Sequence, residues 1–461
     1  MTSFEPEFIV PQAPQRPAPS APTQRQDDPP PEPEVVATEP DVTTEPDGPE
    51  SPVVVEEAAA PVADAPSLPP LLLREELPPV VDTDEAYART CAAIASGRGP
   101  VAIDAERASG YRYSQRAYLV QLRRVGSGTH LVDPVPFDDL RALDDAIGDE
   151  EWILHAATQD LPCLTEAGMR PRALFDTELA GRLLNLPRVG LATLVELYLG
   201  HSLAKEHSAA DWSTRPLPEP WLVYAALDVE VLVELRDLLE ADLEKAGKLD
   251  WAHQEFEALL SFTGPPPKTD RWRRTSGMHR IRGRRNLALV RELWETRDEI
   301  AERRDTTPGR VLTDAAIVEM ATVAPTDADQ LKGLRTMRGR GARRHLNEWQ
   351  RAIDTALALP EEDLPRSSVR GDGPPPPRAW AEKHPDAADR LGRCREVVVA
   401  LAEQHDLPAE NLISPGAVRE LAWEPPADLS AESVGAVLAS KGARPWQVEL
   451  VSAPLSTALR A

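Results

Sequence analysis

Five side chains in the first half of the 461-residue chain could share one catalytic site: Asp104, Glu106, Asp160, Tyr224 and Asp228. Carboxylate oxygens are the hard ligands that Mg²⁺ and Mn²⁺ prefer. Four carboxylates that converge can hold two such ions, which is an arrangement that cleaves phosphodiester bonds. The chemistry therefore depends on whether the fold brings these residues together.

The local sequence patterns favour this convergence. Residues two apart on a strand point to the same face, so Asp104 and Glu106, at the end of an apolar run, would project together. Residues four apart on a helix are neighbours, so Tyr224 and Asp228 would share a face. If that helix packs beside the strand, Asp228 joins the two strand acids around one cation. Asp160, expected on a different helix, would complete a second cation site with Asp104.

Each of these fragments also has an ordinary explanation. An isolated Asp-x-Glu pair is commonly a solvated strand edge, and Asp160 could complement a helix macrodipole, worth less than about 1 kcal/mol. Tyr224 and Asp228 could be a surface pair on a helix. The order of the fragments, their spacing and the apolar strand before Asp104 together favour a site.

The pattern around these residues predicts an α/β domain with a mixed sheet over residues 81–262. We expect a helix at 83–95, strands at 100–106, 116–122, 130–133 and 152–155, and mostly helix from 176 to 247. Segments rich in Gly and Pro at 264–267 and 371–377 then separate two helical modules, 277–360 and 379–461. The triplet at 341–343 recurs at 442–444, which suggests a duplicated module.

Charge is distributed unevenly along the chain, whose formal net charge is −25. Residues 1–80 hold 16 acidic residues, 3 arginines and 20 of the 47 prolines, which predicts a disordered tail. Residues 268–345 hold 19 basic and 11 acidic residues, so an acidic protein can still present a basic face to a polyanion.

Cysteine spacing and targeting signals indicate the compartment of the protein. The three cysteines are far apart, which fits free thiols in a reducing compartment. We see no signal peptide and no run of about 20 apolar residues that could span a membrane. The expectation is a cytoplasmic protein.

The motifs resemble those of a known family. Asp104-x-Glu106, Asp160 and Tyr224-x-x-x-Asp228 match the three exonuclease motifs of the DEDD superfamily, in its tyrosine-containing branch. The stretch from Met278 to Arg297 is similar to the HRDC module, and the order of the two is that of ribonuclease D. The 379–461 module fits the second, divergent HRDC copy of that family.

This resemblance implies a ribonuclease H-like mixed sheet followed by two all-α HRDC-type modules. It implies a 3′→5′ exoribonuclease that releases nucleoside 5′-monophosphates, with tRNA precursors as the expected RNA. The cofactors would be two divalent metal ions, Mg²⁺ or Mn²⁺. Asp104, Glu106 and Asp228 would bind the first ion. Asp104 would bridge to the second, which Asp160 would reach through water, while Tyr224 would orient the attacking water.

Two rival functions remain open. A 3′→5′ DNA exonuclease could use the same metal site, because that site does not read the 2′-hydroxyl group. A catalytically silent RNA-binding adaptor is a rival from another class, and the intact set of acids speaks against it. The paired helical modules favour RNA over DNA by analogy with the family.

Two further groups of residues are candidates for contacts with nucleic acid. Tyr111, Arg112 and Tyr113 follow the first motif and could stack on or contact the terminal nucleotides, or simply pad the domain edge. The densest basic cluster favours phosphate contact over a solvated helix start. Its members are Arg273, Arg274, Arg280, Arg282, Arg284 and Arg285.

Overall fold

The computed structural model describes residues 68–204, 207, 209–266, 268–367 and 373–461. The predicted tail therefore lies outside the described residues up to residue 67. In the described part of the chain we find no helix that has both the length and the apolar character needed to cross a bilayer.

A mixed six-stranded sheet forms the centre of the first domain, which confirms the predicted fold class. Its strands are β1 (Val80–Val81), β2 (Arg98–Arg107), β3 (Ala117–Val125), β4 (Gly128–Val132), β5 (Trp152–Leu154) and β6 (Leu174–Asp176). The spatial order is β1-β4-β3-β2-β5-β6, with β2, β3 and β4 antiparallel and β5 and β6 parallel to β2. The sequence predicts β2 to β5, whereas β1 and β6 are too short to produce an alternating pattern.

Helices pack against this sheet. They are α1 (Asp84–Ser96), α2 (Arg141–Ile147), α3 (Leu161–Glu166), α4 (Thr177–Leu183), α5 (Leu191–Leu199), α6 (Glu219–Glu230), α7 (Leu232–Lys245) and α8 (Leu249–Leu259). Helix α1 begins where the sequence predicts because the Thr83 side chain accepts a hydrogen bond from the Ala86 N–H. The β3–β4 hairpin turns at Gly126 and Gly128, whose φ angles of 84° and 80° favour glycine.

The first helical module has its own apolar core, which includes Trp272 and Trp349. Its helices are α9 (Arg284–Arg303), α10 (Pro308–Val311), α11 (Asp314–Val323), α12 (Ala328–Gly333), α13 (Arg340–Arg343) and α14 (Leu346–Ala358). The long helix α9 buries one apolar face, including Leu287, Val290 and Leu293, as its periodicity predicts.

The second helical module repeats the same order of elements. Its helices are α15 (Trp380–Lys383), α16 (Pro385–Gln404), α17 (Ala409–Leu412), α18 (Pro415–Trp423), α19 (Ala431–Ser440) and α20 (Pro445–Arg460). Helices α9 to α11 have 20, 4 and 10 residues, and α16 to α18 have 20, 4 and 9, which supports the duplication. This module packs on the first domain, where Trp446 stacks on Trp251 at 4.8 Å between ring centroids.

Residues 68–80 correct the predicted end of the disordered tail. Leu71 is buried, and its N–H donates a hydrogen bond to the backbone carbonyl oxygen of Ser202 at 2.8 Å. Val80 and Val81 form β1 beside β4. Composition misses this order because four prolines interrupt the apolar residues of this stretch and their partners are distant in sequence.

Candidate active site

Strand β2 and helix α6 bring three of the predicted carboxylates together. Alternate residues of β2 point into the main apolar core, so Asp104 and Glu106 share the opposite face, which α6 covers. One carboxylate oxygen from each of Asp104, Glu106 and Asp228 lies within 4.8 Å of the other two. Tyr224 lies one turn before Asp228 on α6, and burial followed by the charge of Asp228 raises the pKa of its phenol.

Asp160 lies at the same site but not inside a helix, which corrects the predicted position. It follows a 3₁₀ turn, Ala157–Gln159, and is the N-cap residue of α3. Its side chain makes no capping hydrogen bond, although it is only 5% exposed. The Asp160 carboxylate instead lines the same cavity as Asp104 and Asp228. The macrodipole explanation for this acid therefore does not account for its burial.

Asp176, at the end of β6, holds the turn that carries Asp160. Sequence reasoning did not assign it a role. Its carboxylate accepts hydrogen bonds of 2.8–3.1 Å from the backbone N–H groups of Ala156, Ala157, Glu178 and Leu179. Burial raises the pKa of Asp176 to about 6, although these amide hydrogen bonds lower it. The only local signal is Asp followed by Thr at a helix start, which is the ordinary pattern of a cap.

The buried acids raise one another's pKa. Burial is the largest cause of the raised pKa of Glu106, and the charges of Asp104 and Asp228 add to it. Burial and the charge of Asp104 likewise hold the pKa values of Asp160 and Asp228 well above the ordinary range. Such a cluster favours either bound protons or a bound cation.

The donor set fits a divalent metal ion. Every ligand in the cluster is a hard carboxylate oxygen, and Asp104, Glu106 and Asp228 are close enough to share one ion. Arg107 is the arginine among the described residues that line the cavity, and it lowers the pKa of Glu106 and Asp160. One arginine cannot balance four acids, so the described part of the site has capacity for further positive charge.

The acids line an open cavity of about 600 Å³. Much of the rest of its described lining is apolar or small, and we name these residues the apolar wall: Gly190, Leu191, Ala192, Thr193, Leu203, Ala204, Ala209 and Ala210. A cavity lined by both acids and apolar residues suits a ring with a charged group attached, such as a nucleotide. Trp212 is fully buried and is not among the residues that line this cavity.

Tyr111, Arg112 and Tyr113 lie in a seam between the first domain and the first helical module, and do not line the cavity. The Tyr113 hydroxyl donates to Asp298 at 3.0 Å, and the Arg310 guanidinium lies 4.4 Å from the centre of the Tyr111 ring. Their neighbours Ser109 and Gly110 do line the cavity. The seam thus supports the loop that follows the Asp-x-Glu motif.

Asp305 is the centre of this seam. Its Oδ1 accepts hydrogen bonds from the backbone N–H groups of Tyr113 at 3.1 Å and Ser114 at 2.9 Å. The Tyr118 hydroxyl donates to Oδ2 at 3.3 Å, and Arg112 lies 4.0 Å away. Asp305 adopts a φ of 43°, which asparagine also tolerates better than most residues.

We expect Asp305→Ala to destabilise the protein by about 1–3 kcal/mol, because two loop N–H groups lose their acceptor. Asp305→Asn keeps an acceptor oxygen and the tolerance of positive φ, so it is expected to lose less than half as much. Urea unfolding of both variants measures the difference. Equal losses in the two variants would contradict the role assigned to the acceptor oxygen.

The predicted basic cluster divides into two groups. Arg273, Arg284 and Arg285 are half-buried and used internally: Arg285 donates to the backbone oxygens of Ala356 and Leu359 at the end of α14. Arg282 is exposed but donates to the His279 oxygen. The side chains of Arg274 and Arg280 are exposed and have no hydrogen-bond or ion-pair partner among the described residues. These two side chains are therefore the part of the cluster that is available to a polyanion.

Three family models match consecutive parts of the chain. Residues 78–244 match a 3′-5′ exonuclease model, residues 286–353 the HRDC domain, and residues 373–459 a 3′ to 5′ exonuclease C-terminal domain. The second helical module thus matches a model of its own, separate from the HRDC model. The exonuclease model begins at residue 78, so residues 68–77 precede it.

Similar proteins have the same architecture. Ribonuclease D of Gluconacetobacter diazotrophicus is 33% identical over 337 residues, covering 71% of this chain and 82% of the relative. A crystal structure of a protein from Bifidobacterium adolescentis is 40% identical, with a TM-score of 0.78 over 85% of this chain and all of that one. Escherichia coli RNase D, described as an exoribonuclease involved in structured RNA processing, is 25% identical with a TM-score of 0.61, covering 83% and 98%. The chain belongs to the ribonuclease D family.

Proposed function

We propose that this chain is a 3′→5′ exoribonuclease that removes nucleoside 5′-monophosphates one at a time from RNA 3′ ends. The observation that carries the proposal is the convergence of Asp104, Glu106, Asp160 and Asp228 in one cavity, which Tyr224 also lines. The family to which the chain belongs supports the same reaction. tRNA precursors are the substrates that we propose.

The residues present fit two divalent ions, Mg²⁺ or Mn²⁺. Asp104, Glu106 and Asp228 would hold one, and Asp160 with Asp104 would contribute to the second. When bound, such ions polarise the phosphate and lower the pKa of water, so that attack needs no strong base. Asp176 maintains the position of Asp160 through the backbone of the preceding turn.

The remaining side chains position the substrate. The raised pKa of Tyr224, caused by burial and by the charge of Asp228, keeps its phenol protonated, so it acts by orienting the attacking water through hydrogen bonds. The apolar wall from Gly190 to Thr193 and from Leu203 to Ala204 would hold the terminal nucleoside. The Arg107 guanidinium, beside the acids, is placed to contact a phosphate.

The two rival functions differ from the proposed enzyme in catalysis and in substrate preference. An adaptor has no need of four buried acids that raise one another's pKa, which costs folding free energy. A DNA exonuclease shares the metal site, so only substrate preference separates it from the proposed enzyme. We also propose a cytoplasmic location, which fits the free cysteines Cys91, Cys163 and Cys394.

The test compares RNA and DNA of one sequence, each labelled at the 5′ end, with and without Mg²⁺ or Mn²⁺. The proposed enzyme shortens RNA in single-nucleotide steps, faster than DNA, and only with the metal. Faster degradation of DNA would favour the rival exonuclease. Binding of RNA with no shortening under any metal would favour the adaptor.

We expect the double variant Arg274→Ser, Arg280→Ser to bind RNA more weakly and with a weaker salt dependence. Each lost phosphate contact to a single strand lowers the slope of log affinity against log salt by about 0.7, so the expected change is about 1.4. Fluorescence anisotropy at several salt concentrations measures it. Arg395→Ser, which removes an exposed arginine from α16 in the second helical module, is the matched control. An unchanged slope in the double variant would show that these arginines do not contact RNA.

A further inference from the structure

A segment before the matched exonuclease domain crosses the first domain, and we name residues 68–77 the strap. It makes backbone hydrogen bonds with Ser202: the Ser202 N–H donates to the Pro69 oxygen at 2.9 Å, and the Leu71 N–H donates to the Ser202 oxygen at 2.8 Å. The Ser202 hydroxyl adds a hydrogen bond to the Leu68 oxygen at 3.3 Å. The strap thus pairs with the chain between α5 and α6 as a short parallel bridge.

Side chains fasten the strap at further points. Leu71 is 7% exposed and belongs to the main apolar core, whereas its neighbour Leu72 is 71% exposed. Arg74 forms an ion pair with Glu234 at 2.6 Å, and both side chains are about half exposed, so this pair contributes little. Leu73 and Leu77 pack against the apolar cluster that also contacts Tyr224. Burial of leucine side chains is therefore the main attachment.

The strap holds a part of the cavity that has little support of its own. Ser202 is followed directly by Leu203 and Ala204, which belong to the apolar wall of the cavity. Among the described residues between Leu203 and Pro218 there is no helix or strand that could fix this wall through its own hydrogen-bond ladder. The position of the wall therefore depends on tertiary contacts, and those of the strap are adjacent to it.

We propose that the strap is a positioning segment that sets the Leu203–Ala204 wall and, through it, the place of the terminal nucleotide. The inference rests on the proposed function, because it assumes that this cavity receives an RNA 3′ end. The carboxylates lie on β2, α6 and the turn before α3, and Leu73 and Leu77, which pack on the cluster that includes α6, are unchanged when Leu71 is replaced. A loosened wall would misplace the substrate and leave metal binding intact.

The test uses the full chain with Leu71→Ser, and Leu72→Ser as the matched control. The substrate is an RNA trinucleotide, short enough to depend on the cavity and not on the helical modules. We expect Leu71→Ser to raise KM and to lower kcat/KM about tenfold, since a small misplacement of a reacting group slows its reaction strongly. The Kd for Mn²⁺, measured by calorimetry, is expected to stay at the wild-type value. Leu72→Ser is expected to match the wild type in every measurement.

A milder variant, Leu71→Ala, and hydrogen exchange guard against general unfolding. The proposal expects faster amide exchange at residues 200–212 in both Leu71 variants, with unchanged exchange in β2 to β5. Wild-type kcat and KM in Leu71→Ser, or faster exchange spread across the whole sheet, would overturn it. A wild-type protein that releases no nucleotide would refute the proposed function instead, and the exchange pattern would still decide whether the strap holds the wall.

Discussion

Asp104→Asn is expected to abolish nucleotide release while making the metal-free protein more stable. Asp104 shares a cluster with Glu106 and Asp228, and its charge raises the pKa of Glu106, Asp160 and Asp228. Loss of an outer-shell partner of a metal ligand typically costs 10–100-fold, so loss of the ligand itself is expected to cost about 10³-fold or more. Single-turnover cleavage of labelled RNA with Mn²⁺ measures the loss.

The gain in stability follows from the direction of the pKa shifts. An acid whose pKa is raised by folding contributes stability below its unfolded pKa, about 4, and this contribution is lost as the pH rises through the raised folded value. At neutral pH the metal-free wild type therefore carries the free-energy cost of the clustered charges. Asparagine at 104 removes one of them and lowers the pKa of the others.

We expect the melting temperature of the metal-free variant at pH 7–8 to exceed that of the wild type by about 2–4 °C, which corresponds to about 1 kcal/mol. The difference should shrink as the pH is lowered towards 4, where the wild-type acids are protonated. Mn²⁺ should raise the melting temperature of the wild type and not that of the variant. Asp145→Asn, an exposed site on α2, is the control that removes one charge outside the cluster. A variant less stable than the wild type at neutral pH would contradict the electrostatic account of the cluster.

The convergence of the acids was predictable because it depends on local periodicity. Asp104 and Glu106 alternate on a strand, and Tyr224 and Asp228 are one helical turn apart, so short windows of sequence contain the information. The packing of α6 on β2 was the one tertiary step, and the buried apolar residues on both elements make it favourable. Asp160 lines the same cavity as the other acids but lies outside a helix, because it stands at the boundary between a turn and a helix.

The supports of the site were not predictable from local patterns. Asp176 accepts hydrogen bonds from the turn before Asp160, about twenty residues earlier in the chain. Asp305 accepts a hydrogen bond from the Tyr113 N–H, 192 positions away. Nothing in a short window shows that an aspartate will accept hydrogen bonds from a distant backbone. The same is true of Arg285, whose backbone acceptors lie 71 and 74 residues away. The sequence suggests that its guanidinium could contact phosphate, whereas in the fold it donates to these backbone oxygens.

Tyr224→Phe is expected to lower kcat by about 10²–10⁴-fold, the range typical of losing a proton-handling or water-orienting group. RNA affinity should stay nearly unchanged, because phenylalanine keeps the ring that packs beside Trp212 and His207, with centroids 6.5 Å and 6.1 Å away. Only the hydroxyl, whose pKa the charge of Asp228 helps to raise, is lost. Single-turnover rates and RNA anisotropy, measured on the same preparations, separate the two effects.

The pH dependence distinguishes orientation of water from general-base catalysis by Tyr224. Burial and the charges of Asp228 and Glu106 raise the pKa of Tyr224 in the metal-free protein, which favours a protonated phenol. We therefore assign the rise of rate with pH to deprotonation of the carboxylates before they bind metal. The Tyr224→Phe variant should keep the wild-type shape of the profile at a lower rate. A flattened profile in the variant would assign the proton to the phenol, and an unchanged rate would remove Tyr224 from the mechanism.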